Sequence, residues 1–160
     1  MSDNPLTHLN ARGEARMVDV TEKDVTTRTA TARCRVSVSG EVAALLRDGS
    51  LPKGDALAVA RIAAIQATKR TPDLIPLCHP IAVHGVDVDV AVVDGPAVEL
   101  LVTVRTADRT GVEMEALTAA AVGGLTVIDM VKGMDRGAAI SEVVLLEKTG
   151  GRSGEWRRAE

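Results

Sequence analysis

Phenylalanine and tyrosine are absent from this chain of 160 residues, and Trp156 is its single aromatic residue. A core must therefore be built from Val, Ala, Leu and Ile, whose short side chains pack closely with little bulk. The same absence argues against binding of single-stranded nucleic acid, which uses aromatic platforms for bases to stack on. Cysteine is scarce as well. Cys34 and Cys78, with no CxxC, give neither a disulfide framework nor a zinc knuckle. The opening stretch, MSDNPLTHLNARGEARM, lacks the apolar region of a secretory signal, and no run is expected to span a bilayer. A reducing cytoplasm is the resulting expectation. Nor is positive charge in excess: 19 Lys and Arg stand against 22 Asp and Glu, a formal charge of −3. Any site for an anionic ligand has to be a local basic cluster in a mildly acidic protein.

What is present is 46% hydrophobic, in a length that suits one domain with a real core. Residues 1–28 read as a polar N-terminal arm, whose apolar patch Met17-Val18-Asp19-Val20 either docks on the domain or lies in a bland loop. Residues 29–148 form the domain proper, and 149–160 a tail expected to be mobile. Alternation of Ala30, Ala32, Cys34, Val36 and Val38 with polar residues predicts a half-buried strand. Ser39 can cap a short helix over Glu41–Arg47 that Gly49 stops, and Asp55 a second helix from Ala56 to about Lys69, ended before Pro72. Leu74–Pro80, LIPLCHP, is apolar but bracketed by prolines, so it is neither a clean helix nor a central strand. Ala82–Arg105 reads as a hairpin turning at Asp94-Gly95-Pro96, and Ala138–Lys148 as a last strand. The order strand, helices, strand, strand, helix, strand is that of an α+β, ferredoxin-like (split βαβ) fold. Such a fold is an antiparallel four-stranded sheet with helices packed on one face. Leu101, Val93 and part of Val143–Leu146 would then lie on the other face, where neighbouring subunits are expected to cover them.

The stretch Thr110–Met134 organises the rest. Thr110 and Glu113 match the S/T-x-x-E pattern of a capping box, and apolar residues from Leu117 to Val131 recur at helical spacing. Gly123-Gly124 interrupts good helix formers, which suggests close packing against another backbone or a kink. Asp129 and Lys132 stand three apart, on one helix face, as either a surface ion pair or half of an active site.

The residues able to carry chemistry are Lys53, Lys69, Cys78, His79, Glu113, Glu115, Asp129 and Lys132. Glu113 and Glu115, two apart, cannot point the same way along one helix. Lys53 precedes a helix N-terminus, where anions are favoured, although an ordinary solvated lysine fits the local pattern equally well. A Cys-His dipeptide also occurs as a buried structural pair. Cys78, His79 and His84 could be offered as zinc ligands, but neighbours on an extended segment point apart, so no metal is assigned. What is left is a lysine- and carboxylate-rich set without a nucleophilic triad, suited to a phosphorylated small molecule and acid/base catalysis. A non-catalytic nucleotide-binding module and a metal-dependent hydrolase are the alternatives.

Five blocks occur in order: Met17–Val20, Lys53-Gly54-Asp55, Leu74–Pro80 (LIPLCHP), Thr110–Ala119 (TGVEMEALTA), and Ile128-Asp129-Met130 with Lys132. Together they resemble the MoaC family, the cyclic pyranopterin monophosphate synthases of molybdenum cofactor biosynthesis, from about Thr7 to Gly154. The resemblance implies hexamers built from dimers, with active sites at subunit interfaces. The implied substrate is 3′,8-cyclo-7,8-dihydroguanosine 5′-triphosphate, supplied by an upstream radical enzyme and converted with release of pyrophosphate. It further implies that Lys53 and Lys132 are essential lysines and Asp129 the active-site carboxylate. Leu77, Cys78, His79, Met114 and Glu115 would line the pocket, with Glu113 and Lys69 in support. No resident cofactor is implied, and whether Mg2+ accompanies the phosphates is left open. No nucleic-acid or membrane partner is expected.

Overall fold

The computed structural model describes residues 7–159. The first six residues of the arm expected over 1–28, and the last residue of the expected tail, lie outside them. Nine elements follow one another: β1 (Thr26–Ser37), α1 (Gly40–Asp48), α2 (Ala56–Thr68), α3 (Thr71–Leu74), β2 (Gly85–Val93), β3 (Ala97–Asp108), α4 (Glu113–Val131), β4 (Ala139–Thr149) and β5 (Trp156–Arg157). The sheet runs β2-β3-β1-β4-β5, and every pairing is antiparallel. The first four strands have the order of the ferredoxin-like fold; the two-residue β5, from the last part of the chain, pairs beyond β4.

Period-two patterning sets the register. Ala30, Ala32, Cys34 and Val36 of β1, and Val98, Leu100, Val102 and Val104 of β3, are fully buried on the face that the helices cover. The opposite face carries Arg33 paired with Glu142 at 2.8 Å, and Thr31 hydrogen-bonded to Thr103 at 2.9 Å. Leu101, Val144 and Leu146 are only half-buried. The expected caps form: Ser39 Oγ accepts from the N–H of Val42 at 3.2 Å, and Asp55 Oδ1 accepts from that of Ala58 at 3.0 Å. Pro72 does more than end α2, because it sits in the first turn of α3, where its missing N–H costs nothing.

Two expectations for α4 fail. The capping box does not form: the helix begins at Glu113 itself, behind Val112, which supplies no side-chain cap. Glu113 is thus too early in the helix to reach back to Thr110, and its carboxylate instead faces Lys148 Nζ of β4 at 3.6 Å. α4 is also long and apolar enough to cross a membrane by length and composition alone, contrary to the reading of the sequence. Packing explains that character, since Ala116, Ala119, Ala120, Val127 and Val131 are fully buried between α2 and the sheet.

Gly123-Gly124 makes this packing close. A Cβ on Gly123 would lie 2.5 Å from Leu100 Cδ2 and 3.3 Å from Ala64 Cβ of α2. One on Gly124 would lie 2.5 Å from Cys34 Sγ and 3.2 Å from Ile140 Cδ1. Alanine at a helical glycine gains about 1 kcal/mol of propensity, whereas overpacking a closed core costs about 1–3 kcal/mol. Gly124→Ala is therefore expected to lower the unfolding free energy by up to about 2 kcal/mol, read from urea midpoints; a gain in stability would show that the helix does not sit this near the sheet.

Candidate active site

The loop before α2 and the last turn of α4 meet at one charged cluster. Leu51, 7% exposed, anchors the loop in the core. Gly54, at φ +110°, turns the chain into α2 through a conformation that side chains disfavour. Lys53 is thereby carried to α4, where its Nζ donates to Asp129 Oδ2 at 3.1 Å and to the Asp129 carbonyl at 2.8 Å. Lys132, one turn on, donates to Asp129 Oδ1 at 2.7 Å. Both ammonium groups stand where the α4 dipole favours cations. The site Lys53 would have faced at the α2 N-terminus is occupied instead by the Asp55 cap.

The hydrogen bond from Lys132, then that from Lys53, hold the Asp129 carboxyl below the usual carboxylate range. All three side chains are at least half exposed, so these ion pairs add little to stability. What they build is a fixed charge pattern on the surface: one carboxylate between two ammoniums, with Leu51, Pro52, Met130 and Met134 around a cleft of about 460 Å3.

The other end of α4 faces a different cleft, of about 420 Å3. Leu77, Cys78 and His79 line one side of it, and Gly111, Glu113 and Met114 another. The arm closes over it through Val18 and Val20, so the Met17–Val20 patch does dock. His79 Nε2 lies 2.7 Å from the Val18 carbonyl. A carbonyl can only accept, so Nε2 carries the proton, and in the neutral ring Nδ1 is left with a lone pair.

Behind this cleft lies Glu115, 1% exposed. Its Oε1 accepts from Cys78 Sγ at 3.5 Å, while its Oε2 has no hydrogen-bond partner among the described residues. Burial raises the Glu115 pKa, and it raises the Cys78 thiol to about 11 with help from the Glu115 charge. Cys78 is thus a thiol donor at neutral pH, not a nucleophilic thiolate. Among the described residues no three His, Cys, Asp or Glu side chains gather in a way that could hold a metal ion. His84 points its Nδ1 at Thr106 and Ala107.

The residues singled out by sequence therefore fall into two groups. Lys53, Asp129 and Lys132 converge at the C-terminal end of α4; Leu77, Cys78, His79, Glu113, Met114 and Glu115 converge at its N-terminal end. Nineteen residues of helix separate the ends, a span of about 28 Å. Lys69 lines neither cleft. It is the exposed C-cap of α2, which runs antiparallel to α4, so it lies toward the Cys78 end. Lys148 and Lys23 were not foreseen: Lys148 reaches Glu113 through the β4 register, and Lys23 enters the second cleft with the arm. No local spacing signals either placement.

The buried carboxyl makes a pH-dependent prediction. Because the folded pKa of Glu115 lies above its ordinary value of 4.5, the native state holds this proton longer than the unfolded chain. The corresponding stability is complete below about pH 4.5 and is lost as pH rises through the folded pKa. The difference in unfolding free energy between Glu115→Gln and the parent should therefore shift in favour of the variant as pH rises, then level off. Parallel stability profiles from chemical denaturation would contradict the raised pKa.

Comparison with known proteins identifies the family. Residues 17–151 match the family described as the MoaC family. A cyclic pyranopterin monophosphate synthase of Streptomyces avermitilis is 64% identical over 154 residues, covering 96% of this chain and 90% of that protein. One from a Nocardioides species is 58% identical over 162 residues, covering 99% of both chains. A cyclic pyranopterin monophosphate synthase 2 of Mycobacterium tuberculosis is 56% identical over 153 residues, with 96% and 91% covered. With likeness of this degree extending over nearly the whole length, from the arm to the end of β4, the chain belongs to the MoaC family.

Proposed function

We infer that the chain is a cyclic pyranopterin monophosphate synthase, a lyase of molybdenum cofactor biosynthesis. It would convert 3′,8-cyclo-7,8-dihydroguanosine 5′-triphosphate into cyclic pyranopterin monophosphate and release pyrophosphate. The observation that carries the reading is the bridging of Asp129 by Lys53 and Lys132, in a chain whose relatives bear that name. Two ammonium groups on one carboxylate form a local cationic site despite the net negative charge. They would position the phosphates and offset charge developing on departing pyrophosphate. Asp129 orients them; as phosphate oxygens draw the lysines away, its carboxylate becomes the stronger base.

The second cleft suits the ring end of the substrate. Leu77 and Met114 supply apolar walls, joined by Val18 and Val20. Around them stand groups that can move protons at several atoms: Glu113, the buried Glu115 carboxyl behind Cys78, and His79 through Nδ1. Lys69 would be a supporting cation at this end. Mg2+ can accompany the triphosphate without a protein cage.

Because the two groups lie about 21 to 28 Å apart along α4, a site that uses both would be built from two subunits. The N-terminal end of α4 in one would face the C-terminal end in the other. Exposed Ile62 and Leu125 on the helix layer, 64% and 57% accessible, and half-buried Leu101 on the outer sheet face support assembly, which the family resemblance would make a trimer of dimers. The upstream radical enzyme would supply the substrate, and a cytoplasmic location follows from that dependence.

Lys53→Ala and Lys132→Ala are each expected to abolish pyrophosphate release while leaving cooperative unfolding intact. Asp129→Asn should lower kcat more than it raises KM. Mixing inactive Lys132→Ala with Glu113→Ala subunits of low residual activity during refolding should restore about a quarter of the parental activity if each dimer holds two shared sites. No recovery on mixing would place the whole site within one chain, and parental turnover by either lysine variant would remove that lysine from it.

A further inference from the structure

We propose that Gly111 is a positioning residue: the side chain it lacks is the space that the Glu113 carboxylate occupies. Glycine is not needed here for its backbone freedom, since Gly111 is outside the positive-φ set that includes Gly49 and Gly54. It is needed for room. A Cβ at this position would lie 1.9 Å from Glu113 Oε2, 2.7 Å from Cδ and 2.8 Å from Oε1. Its three nearest neighbours would thus all belong to one carboxylate, which is folded back over the Gly111 Cα. Lys148 Nζ faces the same carboxylate at 3.6 Å. Glu113 is held between a charge that attracts it and a backbone bare enough to admit it.

The arrangement separates position from stability. A methyl group at residue 111 meets the far end of a flexible, partly exposed side chain, so the carboxylate swings out and the backbone stays. The chain folds as before, but the acid leaves its place at the cleft that Gly111 and Glu113 line together. Misplacement of a catalytic or positioning group by about 1 Å can cost on the order of 100-fold in rate. The inference rests on the reading of this cleft as part of the active site.

The test uses Gly111→Ala, Glu113→Ala and the double variant of the full chain. A crystal structure of Gly111→Ala should show the Glu113 carboxylate displaced over an unmoved backbone, with the thermal midpoint within about 2 °C of the parent. Single-turnover pyrophosphate release from the cyclised triphosphate should fall about 10- to 100-fold in Gly111→Ala, with no further loss when the same change is made in the Glu113→Ala background. A carboxylate still in place, a collapse of cooperative unfolding, or an added loss in the Glu113→Ala background would each overturn the proposal. A displaced carboxylate with parental turnover would also overturn it, by removing Glu113 from the chemistry. Absence of pyrophosphate release from the parent would instead sink the synthase reading, and the crystallographic comparison would still decide whether the glycine holds the carboxylate.

Discussion

The distance between α4 and the sheet sets where everything else can stand. Gly123 and Gly124 remove two side chains from the buried face of the helix, so its backbone approaches Leu100, Cys34 and Ile140 directly and meets Ala60 and Ala64 of α2. A core without Phe or Tyr has no large ring to hold these layers apart. Close seating of small residues takes its place, and it fixes the helix axially as well as laterally. α4 carries candidate groups at both ends, so a shift of its seat would misplace Asp129 and Lys132 together with Glu113 and Glu115.

The two ends then differ in electrostatics. At the C-terminal end the charges are solvated and opposite in sign, so Asp129 stays ionised and the lysines remain free to exchange one anion for another. At the N-terminal end Glu115 is closed off from water with one oxygen unpartnered among the described residues, and burial favours its protonated form. Carboxyl groups pushed in opposite directions are the usual way for one fold to offer both a base and an acid near neutral pH. Here the separation comes from opposite surroundings: the hydrogen bonds from Lys132 and Lys53 lower Asp129, and burial raises Glu115. One residue sits in an open last turn, the other faces the interior one turn from the helix start.

Legibility in the sequence followed the range of the interaction. Period-two alternation, the Ser39 and Asp55 caps and the turn at Asp94-Gly95-Pro96 are local, and they appear where the sequence places them. The Asp129–Lys132 pair was visible for the same reason. Lys53 reaches Asp129 across 76 positions, and only the family resemblance connected them in advance. The capping box failed on a local ambiguity: Thr110 and Glu113 have the right spacing, but the helix starts two residues late, at Glu113, whose carboxylate faces Lys148 of β4. Neither Lys148 nor the burial of Glu115 leaves a sequence signal, because each depends on which strand or loop lies opposite.

An assembled site would change the electrostatics of the charged cluster most. In one chain Lys53, Asp129 and Lys132 stand at least half in solvent, where water screens their interaction. A second subunit placed over them would exclude water, and the same ammoniums would act on a phosphate more strongly at a lower effective dielectric. The Glu115 end needs no such cover, because the chain already buries that carboxyl. On this argument the pKa of Glu115 belongs to the folded subunit, the strength of the phosphate site would belong to the assembly, and catalysis would depend on protein concentration.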